Sequence, residues 1–371
     1  MKPPTPRRKI SNRSLQIILT LRDLGIIIDL YLFQGMLSGQ IGELHFPGIA
    51  DRRRNRRLTM LARANLIVGG PLPLGPLGAA TPGTAAGLGG QWFYQLGPAA
   101  VEVIANHLGI APDDIRRRLR KGSPTARAHA LEIAQCFIAL RRIATKSKGT
   151  FQVLKFHPEA FFSYRLNLSN GTSQEERFRP DAHVLVHLGD IGEEGKESRP
   201  RQLFCEVDLG HTSSSEWEKK LRIVGRFCSM VLPKLNHPSK ADSTYKADSN
   251  EIAPVMPDGD RPLYLILTTT EVRAINLKQI MTRTLGDTLP NRLIATFADL
   301  AELAGPPISP TLSEKDASQK QESIPSLALS SAARARRERL AAFLGLSASY
   351  LGPHASESSP LSSVPAKPEK D

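Results

Sequence analysis

The chain has 371 residues, with 49 Lys and Arg against 36 Asp and Glu and a net charge of +13 at neutral pH. That length is enough for two domains, each with a core of its own. The most apolar stretch, Leu24 to Leu37, is broken by Asp29 and Gln34 and is too short to span a bilayer, while Arg13 and Arg22 interrupt any signal-type apolar run. Cys136, Cys205 and Cys228 are odd in number and lack metal-ligand spacing, so buried reduced thiols in a cytoplasmic protein are expected.

The charge is unevenly placed. Residues 1–150 carry 22 Lys and Arg against 8 Asp and Glu, whereas residues 151–371 carry 27 against 28. The whole excess therefore sits in the first part, which points to a polyanionic partner: phosphates neutralised by Lys or Arg release condensed counterions. DNA, RNA and an anionic membrane surface would all be attracted.

After a basic arm at 1–14, Leu21, Leu24, Ile28 and Phe33 recur at helical spacing and predict a first helix. Ser38 reads as the N-cap of a short second helix over Gln40 to His45, ended by Pro47-Gly48. A third helix is predicted from Ala50 to about Arg63. Its first turns hold Arg52, Arg53, Arg54, Arg56 and Arg57, and Leu58 and Leu61 follow. Basic residues ahead of apolar ones suit a recognition helix, although a solvated arginine face has the same composition. Leu66 to Val68 and Gln91 to Tyr94 read as strands around a Gly/Pro-rich excursion. Three helices and a hairpin describe a winged helix-turn-helix over 15–110, with double-stranded DNA as partner and a homodimer left open. Arg116, Arg117, Arg118, Arg120 and Lys121, and then Arg141, Arg142, Lys146 and Lys148, make 111–150 a basic helical connector that either extends the phosphate footprint or is a wet helix face.

From Phe151 the pattern becomes strand-like. Strands are expected at 151–156, 164–168, 183–188, 203–207, 263–268 and 293–297, with helices over 216–227 and 277–281, giving a mixed-sheet α/β domain over 151–304. The overall class is thus α+β and multidomain. Residues 305–371 read as a mostly disordered tail carrying a short basic helix at 331–345 that docks on a partner, lies on DNA or is solvated.

Asp181 opens one strand and Glu206-Val207-Asp208 closes the next, so Glu206 and Asp208 share a face. Lys219 and Lys220 follow on a helix. Carboxylates with a lysine are what divalent-metal phosphodiester hydrolysis requires, and also what ordinary surface ion pairs look like. His183 and His187 are poorly spaced for chelation, and His211 beside the carboxylates reads as structural. No phosphate-cradling Gly-Lys-Ser/Thr loop and no Gly-x-Ser-x-Gly elbow is present, which argues against ATPase and acyl-transfer chemistry and against a small-molecule cofactor.

Leu21-Arg22-Asp23-Leu24, the arginine-rich third helix, Arg179-Pro180-Asp181-Ala182, Glu206-Val207-Asp208-Leu209-Gly210-His211-Thr212 and Lys220-Leu221 together resemble the replication-relaxation family. Its members are associated with plasmids and other mobile elements and linked to plasmid replication and DNA relaxation. The resemblance implies a winged helix followed by a restriction-endonuclease-like core of the PD-(D/E)XK type. Asp181 and Glu206 would be Mg²⁺ ligands, Lys219 or Lys220 the lysine, and Glu159 an acid from an earlier element. The usual pattern places the lysine two residues after the glutamate, where this chain has Asp208. Either the lysine has moved to the next helix, or the site binds metal without cutting, or it is degenerate and the protein is a non-enzymatic DNA-binding factor.

Overall fold

The computed structural model describes residues 17–71, 92–119, 123–167, 172–189, 200–231, 262–286, 291–305, 331–346 and 350. The expected basic arm, the Gly/Pro-rich excursion, Arg120, Lys121, the loop at 190–199 and the tail segments expected to be disordered lie outside the described residues. The fold is mixed α and β and divides into two compact units, Met1–Gln135 with Pro307–Ser323, and Cys136–Pro306 with Ile324–Asp371.

The first unit contains α1 (Leu21–Leu32), β1 (Met36–Leu37), α2 (Ser38–His45), α3 (Asp51–Arg63), β2 (Ile67–Pro71), β3 (Trp92–Leu96), α4 (Ala100–Leu108), α5 (Pro112–Leu119) and the start of α6 (Pro124–Lys146). Thr20 caps α1 reciprocally with Asp23: the Thr20 amide donates to Asp23 Oδ2 at 2.7 Å, and the Asp23 amide donates to the Thr20 hydroxyl at 3.3 Å. Ile26, Ile27 and Leu30 of α1 and Leu58 and Leu61 of α3 are fully buried. The expected cap at Ser38 is corrected: Leu37 precedes α2, Ser38 is its first residue, and the Gln40 side chain accepts the Leu37 amide at 3.0 Å. The strands form an antiparallel sheet in the order β1-β3-β2. Gly35, at φ +139°, lets the Phe93 ring lie against the backbone, since a Cβ there would stand 2.2 Å from it.

The second unit adds β4 (Phe151–Pro158), β5 (Phe162–Asn167), β6 (Ser173–Phe178), β7 (Ala182–Leu188), β8 (Pro200–Asp208), α7 (Ser214–Arg226), β9 (Leu263–Thr268), α8 (Glu271–Leu285), β10 (Arg292–Thr296), α9 (Phe297–Ala304) and α10 (Ser331–Phe343). Five strands form a mixed sheet, β10-β9-β8-β7-β4, in which β8, β9 and β10 run parallel while β4 and β7 are antiparallel to their neighbours. β5 and β6 form a separate ribbon. Phe162, Tyr164 and Phe178 of the ribbon pack with Phe204, Trp217, Phe227 and Tyr264 into one core. β6 was not expected, because Ser173 to Arg177 is entirely polar. Cys136, Cys205 and Cys228 are buried free thiols. The basic helix α10 docks on its own unit, with Leu340 and Leu344 fully buried and Arg336 paired with Asp299 at 3.2 Å and with Glu271. No helix among the described residues is long and apolar enough to cross a membrane.

Candidate functional site

Two regions carry the candidate residues, one in each unit. On α3, the five arginines separate by phase. Arg57 turns inward: its Nε donates to Asp23 Oδ1 at 2.8 Å, its Nη2 meets Asp23 Oδ2, and Asp23 is fully buried. Burial works to raise the Asp23 pKa, yet the Arg57 and Thr20 hydrogen bonds outweigh it and hold that carboxyl below its ordinary value. Arg57 is therefore a structural residue that locks α3 to the cap of α1. Arg54 is partly sheltered and pairs with Asp51 at 3.0 Å. Arg52, Arg53 and Arg56 are exposed and make no ion pair among the described residues.

Several residues of the later basic clusters have partners within the chain. Arg116 pairs with Asp113 and Glu102 at 2.9 and 3.1 Å, and Arg117 with Asp114 at 3.1 Å. Arg118 donates to the Leu32 carbonyl at the end of α1 and lies over the Tyr31 ring. Arg142 and Lys146 donate to the Gly305 and Ala304 carbonyls that end α9, at 2.9 and 2.6 Å. Cations at a helix C-terminus meet its unsatisfied carbonyls, so these residues stabilise helix ends.

In the second unit the antiparallel register sets Ala182 opposite Cys205, which brings Asp181 beside the end of β8. Asp181 Oδ2 accepts the Val207 amide at 2.8 Å, and its carbonyl accepts the Glu159 amide at 2.7 Å. α7 begins at a Ser213–Glu216 capping box and presents Trp217, Leu221 and Val224 to the sheet. That phase carries Lys220 over β8, its Nζ 2.5 Å from Glu206 Oε2 and 4.0 Å from Asp181 Oδ2. Lys219 is exposed and takes no part. Glu206 is fully buried and also accepts the Tyr264 hydroxyl at 3.2 Å.

Burial pushes Glu206 up to about 8, opposed by Lys220 and assisted by Asp181. For Lys220, burial works to lower the pKa, but Glu206 and Asp181 outweigh it and hold the ammonium above its ordinary value. Asp208 shares the face of Glu206, as alternation requires, but belongs to a different network: Arg273 Nε donates to it at 2.6 Å and the Trp217 indole at 3.4 Å. Glu159 touches Asp181 through the backbone, while its carboxylate lies 3.6 Å from Arg179. Among the described residues no group of three or more His, Cys, Asp or Glu is arranged to hold a metal.

Tyr264 and Arg273 were missed from the sequence. Tyr264 left a signal, since a lone phenol inside Leu263 to Thr268 needs a buried partner; Arg273 left none. His183 is buried on β7 beside His157 and stacks on Phe204 at 5.1 Å, a member of the aromatic core.

No curated protein and no solved structure matches the chain. A family model described as replication-relaxation matches residues 29–226, a span that holds α3 in the first unit and Asp181, Glu206 and Lys220 in the second. As that match covers more than half of its length, the chain belongs to the replication-relaxation family.

Proposed function

We propose that this is a DNA-binding protein of a plasmid or other mobile element, acting in replication or DNA relaxation, whose second unit is a nuclease-like core hydrolysing DNA with Mg²⁺. In this reading the first unit is a winged helix: α1 to α3 precede the β2–β3 hairpin, and α3 offers Arg52, Arg53 and Arg56 to a duplex. Exposed arginines without internal ion-pair partners are the groups a phosphate backbone would neutralise.

The observation that carries the hydrolytic reading is the position of Lys220, whose ammonium reaches both Asp181 and Glu206. It supplies from α7 the cation that the usual pattern takes from the strand, at the place this chain gives to Asp208. Asp181 and Glu206 are hard oxygen donors of the kind Mg²⁺ takes in a site completed by water. Mg²⁺ held there would polarise a phosphate and lower the pKa of water. Lys220 orients the attacking water or compensates charge developing on the phosphate oxygens, and Tyr264 fixes Glu206 from the far side.

One observation favours a second reading, a non-enzymatic DNA-binding factor: Asp208, in the lysine position, is locked by Arg273 rather than left for chemistry. Supercoiled plasmid separates the two. The first predicts Mg²⁺-dependent nicking that is lost in Asp181→Ala and Glu206→Ala; an absence of nicking by the wild type would overturn it.

A further inference from the structure

Between α3 and the β2–β3 strands lies an open cleft of about 670 Å³ that the DNA-binding reading has not used. One wall is a single face of α3, formed by Asp51, Asn55, Thr59 and Ala62 with Arg54 at its edge; the other is the face of the β2–β3 hairpin that carries Tyr94 and Trp92. Cross-strand pairing orders this second wall. Leu96 opposite Ile67 and Tyr94 opposite Gly69 are buried, whereas Trp92, opposite Pro71, is 52% exposed. The sheet face thus rises out of the core and ends on a bare indole.

The wall is flat for a definable reason. A Cβ at Gly69 would stand 2.4 Å from the Tyr94 ring, so glycine at that position lets the phenol lie across β2. Trp92 continues the surface with its ring inclined 27° to that of Tyr94, at a centroid separation of 6.3 Å. Leaving an indole in water forgoes a large apolar burial, about 25 cal/mol per Å². An exposed indole in a cleft that a guanidinium also lines, here that of Arg54, is the arrangement that stacks a base and neutralises its phosphate. The cleft lies within the roughly 300–1,000 Å³ typical of small-molecule sites, room for a nucleotide. A closed duplex cannot use such a surface, because its base faces are covered by their own neighbours.

From this geometry we propose that the cleft between α3 and the hairpin receives an unpaired DNA base, stacked on Trp92 with its phosphate toward Arg54. The Asn55 amide, on the facing wall, meets the base edge. Asp51, exposed and paired with Arg54, gives way to the phosphate. The inference rests on the reading of α3 as a DNA surface and adds a preference for melted over closed DNA, which suits a protein acting where strands are opened.

The test is the affinity of the full chain for a closed duplex and for the same duplex with a central mismatch bubble, followed alongside intrinsic tryptophan emission. Wild type is expected to bind the bubble about ten-fold more tightly, a typical effect of stacking one base. Trp92→Ala abolishes the preference and leaves closed-duplex affinity unchanged, while Trp92→Phe keeps most of it. Since Trp217 is buried, quenching of emission by the bubble reports Trp92 and disappears in Trp92→Phe. Equal binding of both DNAs by wild type, or a preference surviving Trp92→Ala, overturns the proposal while leaving the α3 reading intact. Failure to bind either DNA overturns both.

Discussion

The two units handle charge in opposite ways. On α3, Arg57 neutralises the buried Asp23 while Arg52, Arg53 and Arg56 stay in water without an ion pair among the described residues. At the end of β8, both carboxylates are sealed, Glu206 by Lys220 and Asp208 by Arg273. A charge that folding has buried needs a partner within the chain, and removing that partner strands it; an exposed charge is free for a partner outside. Arg52, Arg53 and Arg56 are thus cations of α3 left in water, whereas the acids at the end of β8 are held by cations from α7 and α8.

The comparison breaks most visibly if Arg57 is removed. Arg57→Met strands the fully buried Asp23 carboxylate with only its Thr20 hydrogen bonds, and should cost about 3–5 kcal/mol, read as a lower denaturation midpoint of the first unit. Next in size, Glu206→Gln should reduce nicking by about 10²- to 10³-fold, the usual scale for removing one charge-handling group from a site, measured as the rate of open-circle formation. A small reduction would place the acid pair outside the chemistry.

Acid should weaken the second unit through His183. Burial, with His157 beside it, lowers this imidazole from 6.5 to about 4. The unfolded chain therefore takes up a proton on this residue first, and stability falls as the pH drops from about 6.5 to about 4, by roughly 3 kcal/mol. Denaturant unfolding across that range checks the slope, which His183→Phe should flatten. The smallest stability effect belongs to Arg52→Ala, Arg53→Ala and Arg56→Ala combined, within about 0.5 kcal/mol per site. The same triple variant should lower the salt slope of duplex binding by about 0.9 for each phosphate that it no longer neutralises. A large drop in stability with an unchanged slope would make these arginines structural like Arg57.

Much of the fold was legible because periodicity is local. The arginine-then-leucine order of α3 and the strand-like apolar runs of β7, β8 and β9 mark elements the structure contains, and α1 lies where apolar spacing put it, although Leu21 is exposed and Ile26, Ile27 and Leu30 form its buried face. Partners distant in sequence were not legible: nothing near Arg57 signals Asp23, 34 residues earlier. The choice between Lys219 and Lys220 was in fact encoded, since Trp217, Leu221 and Val224 set the inward phase of α7 and place Lys220 on its border. The partner of Asp208 was hidden for the same reason as that of Arg57: Asp208 shares the strand face of Glu206, but the Arg273 that bonds it comes from α8, 65 residues later.

The most direct measurement compares Lys220→Met with Lys219→Met in Mg²⁺-dependent nicking of supercoiled plasmid. The account predicts that Lys220→Met loses activity by about 100-fold or more while Lys219→Met retains it. Equal activity in the two variants would contradict the assignment of Lys220 to the acid pair.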